Sequence, residues 1–302
     1  MDSSFAFKLS ILITLVISVL LITINLYAVE IKQGWILFTN GPDINSIINY
    51  PAKIVVIDYS ADGTDKKAFS SAEINLLKST GKKVFSYINF AIAEDWRFYW
   101  NKLPKSIILG NLEGWTGEYY VKYWYAEWYS IIKEYMTKIS NANFDGVVLD
   151  WINVYTHENL QKLSGKTQEN LKLAIVENIR KIVSEFPKME YVLINGEDIL
   201  IEFPDLKKSI KYVLVESLFF TNTKLKLSTK YYTERLGKLL KLRNDGIEIL
   251  SVEYIDNGNP LDKTNSERIK TYVELATKYG FIYYIARTDM KLDILNVPRV
   301  MN

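Results

Sequence analysis

The feature that most constrains this fold is a set of eight short apolar runs, spaced along nearly the whole chain. The runs are rich in Val, Ile, Tyr and Phe, and each has the length of a strand. They cover residues 34–40, 53–60, 83–90, 144–151, 190–197, 211–220, 247–254 and 281–288. Because polar residues do not alternate with apolar ones, we expect strands that are buried on both faces, as in a parallel sheet.

Segments with helical spacing separate most of these strands. They cover residues 70–80, 121–140, 167–186, 229–243 and 265–279. Gly81, Gly246 and Gly280 follow three of them, where a helix C-terminal glycine is expected. Eight strands alternating with helices predict an α/β fold, a (β/α)8 TIM barrel. The rival architecture is a doubly wound open sheet, but its glycine-rich phosphate loop is missing after the first strand.

An uncharged apolar segment, residues 9–29, precedes the barrel. Apolar regions of signal peptides span about 7–15 residues, whereas a helix that crosses a bilayer needs about 20. The length favours an uncleaved anchor over a signal peptide cleaved after Ala28, and a buried core helix is the remaining alternative. We therefore predict a signal peptide or membrane anchor over residues 1–29. The barrel, residues 30–302, is then extracellular or at the cell surface.

Acidic and polar residues lie at the predicted carboxyl ends of the strands, the end of a TIM barrel that carries the active site. The candidates at these ends are Asp58, Tyr59, Glu94, Asp150, Asn195, Glu216 and Glu253. An unpaired buried charge destabilises a fold, so acids at five strand ends favour a functional cluster. The alternative is a structural ion network with Arg97 and Arg287.

The available side chains limit the chemistry of such a site. The chain has no Cys and a single His, His157, which excludes thiolate chemistry and multi-histidine metal centres. Paired carboxylates suit glycoside hydrolysis, in which one acid protonates the leaving oxygen and the other attacks the sugar or activates water. Asp150 and Glu216 are two strands apart, which predicts a carboxyl separation of about 5–9.5 Å. A divalent-metal site made of the same acids is the competing chemistry.

Aromatic residues are concentrated after the third strand. Trp96, Trp100 and Trp115 precede the long predicted helix, where they either line a sugar-binding rim or pack structurally. For residues 123–129 the spacing favours the buried face of that helix. His157 is interpreted as a helix cap in preference to a substrate contact.

Six motifs resemble, in order, those of the endo-α-1,4-polygalactosaminidase barrels of glycoside hydrolase family 114. They are VIDYSADG (56–63), FSYINFAIAEDWRFYW (85–100), GWTGEYYV (114–121), FDGVVLDWINVY (144–155), LINGED (193–198) and VESLFF (215–220). The resemblance implies a TIM barrel that cleaves α-1,4-linked galactosamine-containing polymers, with Asp150 and Glu216 as the catalytic pair. It further implies a set of sugar-site residues: Asp58, Tyr59, Glu94, Arg97, Trp115, Glu118 and Asn195. Asn153 departs from the family, which often has an acid there.

The net charge of the chain limits the kind of polymer that it can bind. The chain has 37 Lys and Arg against 35 Asp and Glu, a net charge of +2, so no basic face for nucleic acid is expected. A strand mouth more acidic than the whole protein would attract a cationic, partly deacetylated amino-sugar polysaccharide. We predict neither a cofactor nor a bound metal. A non-catalytic polysaccharide-binding barrel and a metal-dependent barrel enzyme stay as alternatives.

Overall fold

The structure is a computed structural model that describes residues 10, 11, 13, 14 and 28–301. The predicted anchor or signal segment, residues 9–29, therefore lies almost wholly outside the described residues. Within the described part of the chain, no helix has both the length and the hydrophobicity needed to cross a bilayer.

Eight parallel strands form a nearly closed barrel. The strands β1–β8 are Trp35–Phe38, Ile54–Asp58, Lys83–Asn89, Gly146–Asp150, Glu190–Ile194, Ile210–Glu216, Glu248–Asp256 and Ile282–Arg287. Each strand pairs in parallel with the next one along the chain. The last strand, β8, packs beside β1, where the ring centroids of Trp35 and Tyr284 are 5.5 Å apart. The predicted TIM barrel is confirmed.

The strands form because their side chains are buried on both faces. All five residues of β2 are buried, and so are the four residues of β1. The helices cover the outer face of the barrel strands, and side chains of the strands fill its interior. This packing explains the apolar runs without alternation.

Helices α1–α8 connect most of the strands. They are Ile44–Ile48, Ser71–Ser79, Ala126–Asn141, Glu158–Ser164, Gln168–Glu185, Glu197–Glu202, Lys230–Asn244 and Lys263–Tyr279. Side chains of Ser70, Thr167, Thr229 and Asp262 cap four of them by accepting a backbone N–H three residues later. The five predicted helices are present. However, α3 begins at Ala126, because the preceding residues up to Val121 form a strand.

A small antiparallel sheet follows β3 and borders the mouth of the barrel. Its strands are Ile92–Glu94, Ile108–Asn111 and Glu118–Val121, and the last of these is central. Glu94 and Glu118 are opposite each other in this sheet. Two more antiparallel pairs join Ala28–Glu30 to Arg299–Met301 and Phe220–Thr221 to Lys224–Leu225. Short 3-10 turns cover Asp65–Lys67, Trp100–Lys102, Lys105–Ile107, Val154–Thr156 and Pro204–Lys208.

Candidate active site

A cavity of about 680 Å³ opens at the carboxyl ends of the barrel strands. Seven of the ten predicted site residues line it: Glu94, Arg97, Trp115, Glu118, Asp150, Asn195 and Glu216. The barrel therefore brings together residues that are more than 120 positions apart in the sequence. The other three predicted residues, Asp58, Tyr59 and Glu253, lie behind the cavity wall and are at most 3% exposed.

Asp150 is the last residue of β4, and both of its carboxyl oxygens accept short hydrogen bonds. The Tyr87 hydroxyl, from the neighbouring strand β3, donates to Oδ2 at 2.5 Å. The backbone N–H of Trp151 donates to Oδ1 at 2.6 Å, in a turn where Trp151 has a left-handed backbone with φ of 57°. These contacts fix the carboxyl group at the cavity wall.

Glu216 ends β6 and is held in a similar way. The Tyr254 hydroxyl, from β7, donates to Oε1 at 2.6 Å. The Asn195 side chain, which follows β5, donates to Oε2 at a longer distance of 3.3 Å and accepts the Glu216 N–H at 3.1 Å. A tyrosine from an adjacent strand thus binds each acid of the predicted pair.

The two acids are electrostatically linked. Burial raises the pKa of Asp150 to about 7, and the charge of Glu216 is the second largest cause of this rise. The charge on Glu216 therefore opposes a charge on Asp150. A glycosidase that uses one carboxyl as an acid beside an ionised partner relies on such coupling.

Arg235, from α7, supports Asn195 from behind the cavity. Its guanidinium donates to Glu197 and, at 2.9 Å, to Asn195 Oδ1. Both charged residues are less than 10% exposed. The chain of contacts Glu197–Arg235–Asn195–Glu216 therefore fixes the orientation of the Asn195 amide.

Arg97 is the centre of a buried ion cluster in the cavity wall. It donates to Asp58 Oδ2 at 2.6 Å and to both oxygens of Glu94, at 2.6 and 3.0 Å. The Tyr135 hydroxyl accepts a further bond at 2.9 Å. The ion pair of Asp58 with Arg97 is the structural partner that the sequence left open as an alternative to a sugar contact.

Tyr59 and Glu253 also have structural partners. The Tyr59 hydroxyl donates to Asp65. Glu253 accepts the backbone N–H groups of Phe219 and Phe220, at 2.7 and 3.3 Å, in the loop that follows Glu216. Neither Tyr59 nor Glu253 is among the residues that line the cavity.

Trp115 and Glu118 come from the turn and strand of the small antiparallel sheet. Trp115 is 49% exposed, and its ring packs edge-on against Trp151 at 5.9 Å. Glu118 is 8% exposed, and burial, together with the charges of Glu94 and Asp150, raises its pKa to about 8. The sheet thus adds a ring face and an acid to the wall of the cavity.

The aromatic predictions have different outcomes. Trp96 is 40% exposed and lines the cavity with Trp115, whereas Trp100 stacks on Tyr119 outside the lining. Trp128 is buried in α3, which confirms the helix-core interpretation for this residue, whereas Tyr123 is buried but precedes the helix. His157 is the N-cap residue of α4, as predicted, but its side chain makes no cap hydrogen bond and lines the cavity. Its Nδ1 instead lies 2.9 Å from the Tyr120 hydroxyl.

Sequence reasoning missed several residues that shape the site. Tyr87 and Tyr254 each lie two residues before the end of a strand, and the two-residue alternation of side-chain direction along a strand is the signal that could have identified them. Arg235 lies in a helix rich in basic residues, where nothing in the sequence distinguishes it. Across the residues that the structure describes, no three His, Asp or Glu side chains are grouped as metal ligands.

Two solved structures share this fold. One is Ega3 of Aspergillus fumigatus, in complex with galactosamine, with a TM-score of 0.67 and 18% identity; the match covers 91% of this chain and 96% of that one. The other is the glycoside hydrolase domain of PelA from Pseudomonas aeruginosa, with a TM-score of 0.67 and 14% identity over 89% of this chain and 98% of that one. At these identities the likeness concerns the fold.

Sequence comparison gives the family. An uncharacterized protein of Thermotoga maritima is 34% identical over 278 residues, which cover 88% of this chain and 84% of that protein. Residues 28–299 match the sequence model of glycoside hydrolase family GH114, a span that contains all eight barrel strands and both acids of the pair. The chain therefore belongs to glycoside hydrolase family GH114.

Proposed function

We propose that this glycoside hydrolase cleaves α-1,4-linked galactosamine-containing polysaccharide, with Asp150 and Glu216 as its catalytic pair. The observation that carries the proposal is the pair itself: two coupled carboxyls in one cavity, each bonded to a tyrosine hydroxyl from an adjacent strand. Two-carboxylate glycosidases require an acid and an ionised partner at such a separation that one sugar bond fits between them.

The hydrogen bonds favour Glu216 as the proton donor. Asp150 accepts short bonds on both oxygens, which stabilises its ionised form. Oε2 of Glu216 accepts only the long bond from Asn195, so this oxygen is the one best placed to pass a proton to the substrate.

The proposed reaction follows from this arrangement of the two acids. Glu216 transfers its proton to the glycosidic oxygen as the bond between that oxygen and the anomeric carbon breaks, and the leaving sugar departs with a hydroxyl group. Asp150 either attacks the anomeric carbon or removes a proton from the attacking water. The anomeric configuration of the first product, followed by NMR, separates the two, because a direct attack of Asp150 gives net retention.

Variants of the two acids test the assignment. We expect D150N and E216Q to lose most activity on α-1,4-galactosaminan, since general acid catalysis alone contributes about 10²–10⁴-fold. On 4-nitrophenyl α-galactosaminide, whose leaving group needs no proton, E216Q should retain far more activity than D150N. E113Q is the matched control, because Glu113 is exposed in the loop that carries Trp115 and does not line the cavity. Equal losses of D150N and E216Q on both substrates would contradict the assigned roles.

The charge of the cavity supports an amino-sugar polymer as substrate. Its lining contains five acids, Asp62, Glu94, Glu118, Asp150 and Glu216, against the cations Arg97 and Lys291. The whole chain carries a net charge of +2, so the cavity is more acidic than the protein around it. Ega3, which shares the fold, was solved with galactosamine. We expect faster cleavage of deacetylated than of N-acetylated polymer, with a difference that shrinks in high salt.

The cleavage assay on the amino-sugar polymer also distinguishes the proposed function from the two other candidates. Binding of the polymer without cleavage by the wild type would favour a polysaccharide-binding barrel, with Trp96 and Trp115 as its contacts. Loss of activity in a chelator would favour a metal-dependent enzyme.

We further propose that the barrel is exported. Residues 9–29 carry no charge over a length that suits an anchor or a long signal peptide. Mass spectrometry of the mature protein, isolated from membrane and culture fractions, tests this proposal. An intact N-terminus in the soluble fraction inside the cell would contradict it.

A further inference from the structure

One carboxyl oxygen in the cavity wall has no hydrogen-bond partner among the described residues. It is Oε2 of Glu118, which is buried and belongs to a side chain of the cavity lining. The other acids beside it are satisfied: Glu94 is bonded to Arg97, and Asp150 is bonded to Tyr87. Such an unpartnered carboxyl is unusual, because leaving it buried destabilises the folded protein.

The surroundings of Glu118 add to this cost. It faces Glu94 across the antiparallel ladder, and like charges at such positions repel. Burial and the charges of Glu94 and Asp150 raise its pKa to about 8. Arg97 offsets this rise only in part, because its guanidinium donates to Asp58, Glu94 and Tyr135 and makes no hydrogen bond to Glu118. No cation of the described chain is therefore positioned to pair with Glu118.

A cationic ligand would supply the missing partner. A protonated amine carries three N–H donors and a full charge, whereas an acetamido group is neutral and has a single N–H donor. Trp115, three residues earlier and half exposed in the same wall, offers a ring face for the sugar that carries the amine. The wall thus combines an apolar surface with one unpaired acid.

We propose that Glu118 binds a protonated amino group of the substrate sugar and thereby selects free amino sugars over N-acetylated ones. This inference rests on the proposed amino-sugar substrate, and it assigns the selection to one residue. It leaves the chemistry of Asp150 and Glu216 unchanged.

Binding should also release a proton. In the free enzyme near pH 7 the Glu118 carboxyl is mostly protonated, given its raised pKa. An ammonium group at Oε2 favours the carboxylate, so the neutral acid and the ammonium become an ion pair while one proton leaves to solvent. A neutral N-acetylated sugar gives no such release.

The experiment compares E216Q with E216Q/E118Q, so that the ligand is bound without being cleaved. The ligands are an α-1,4-galactosamine tetramer and its N-acetylated counterpart, titrated by calorimetry at pH 7 in two buffers of different ionisation enthalpy. We expect E118Q to weaken binding of the amine tetramer about 10- to 100-fold, the usual range for a charge-assisted hydrogen bond. Binding of the N-acetylated tetramer should change less than about 3-fold. The release of about one proton on binding of the amine tetramer should be absent in E216Q/E118Q.

Two controls keep the test decisive. E216Q/E113Q removes an exposed acid from the same loop and should leave both affinities and the proton release unchanged. E118D keeps the charge with a shorter reach and should retain part of the preference. Thermal unfolding confirms that each variant is folded.

The outcomes separate this inference from the proposed function. If the wild type cleaves the amine polymer but E118Q keeps the full preference and the proton release, the role of Glu118 is wrong and the proposed function stands. If the wild type neither binds nor cleaves the amine polymer, the proposed function is wrong and the inference falls with it.

Discussion

Arg235 is predicted to control activity without touching the substrate. It donates to Asn195 Oδ1 at 2.9 Å, and the same oxygen accepts the N–H of Glu216 at 3.1 Å. The Asn195 amide must therefore turn its nitrogen toward Glu216 Oε2, which is 3.3 Å away. Replacement of Arg235 by Met removes one of the two donors that hold this orientation.

The R235M substitution should affect stability and catalysis through different contacts. In R235M the Glu197 carboxyl, 4% exposed, loses its cation, and one of its oxygens already lacks a partner among the described residues. Removing one partner of a buried pair costs about 3–5 kcal/mol, whereas replacing both with apolar residues is often neutral. Without Arg235 the Asn195 amide can turn, which weakens its hydrogen bond to Glu216. Such a bond contributes about 0.5–1.5 kcal/mol. If that bond acts in the transition state, kcat falls about 2- to 12-fold.

Chemical denaturation and steady-state kinetics on the galactosamine polymer measure the two effects. We expect R235M to lose both stability and kcat, and R235M/E197M to regain stability while kcat stays low. A shift in the kcat–pH profile of the double variant would show that the proposed acid pair is affected. If the double variant regains the wild-type kcat and pH profile, the argument that Arg235 acts through Asn195 is refuted.

Three further variants test other parts of the site. R97M leaves Asp58 and Glu94 without their cation and should lower the free energy of unfolding by about 3–5 kcal/mol in urea; an unchanged midpoint would contradict this. The Tyr87 hydroxyl lowers the pKa of Asp150, so Y87F should move the acidic limb of kcat/KM upward in pH, and a downward shift would be inconsistent. The folded protein holds the Glu118 proton more tightly than the unfolded chain does, so wild-type stability should fall between about pH 5 and 8. E118Q should lose less stability over this range, and denaturation curves that fall equally would exclude the effect.

The sequence predicts the barrel and the catalytic pair for the same reason. Unbroken apolar runs mark strands buried on both faces, and a barrel places all carboxyl ends of its strands at one mouth. Asp150 and Glu216 follow such runs directly, so strand order alone brings them together. No side-chain detail is needed for that step.

The direction of a side chain at a strand end is harder to predict. Neighbouring residues of a strand point to opposite sides, so a pair such as Glu253-Tyr254 contributes only one side chain to the cavity. Sequence reasoning chose the acid, but Tyr254 lines the cavity and Glu253 binds the backbone of the loop after β6. For Asp58 the sequence left an ion pair with Arg97 open, and only the structure shows that these two residues, 39 positions apart, are bonded.

The backbone around the two acids is strained at three positions. Trp151, Asn195 and Ser217 have φ of 57°, 51° and 49°, although none is glycine. A left-handed backbone costs a non-glycine residue about 1–2 kcal/mol, and glycine would remove that cost. Glycine would also remove the Trp151 ring from the cavity and the Asn195 amide from Glu216. The strain at these two strand ends is therefore best explained by the side chains they carry into the site.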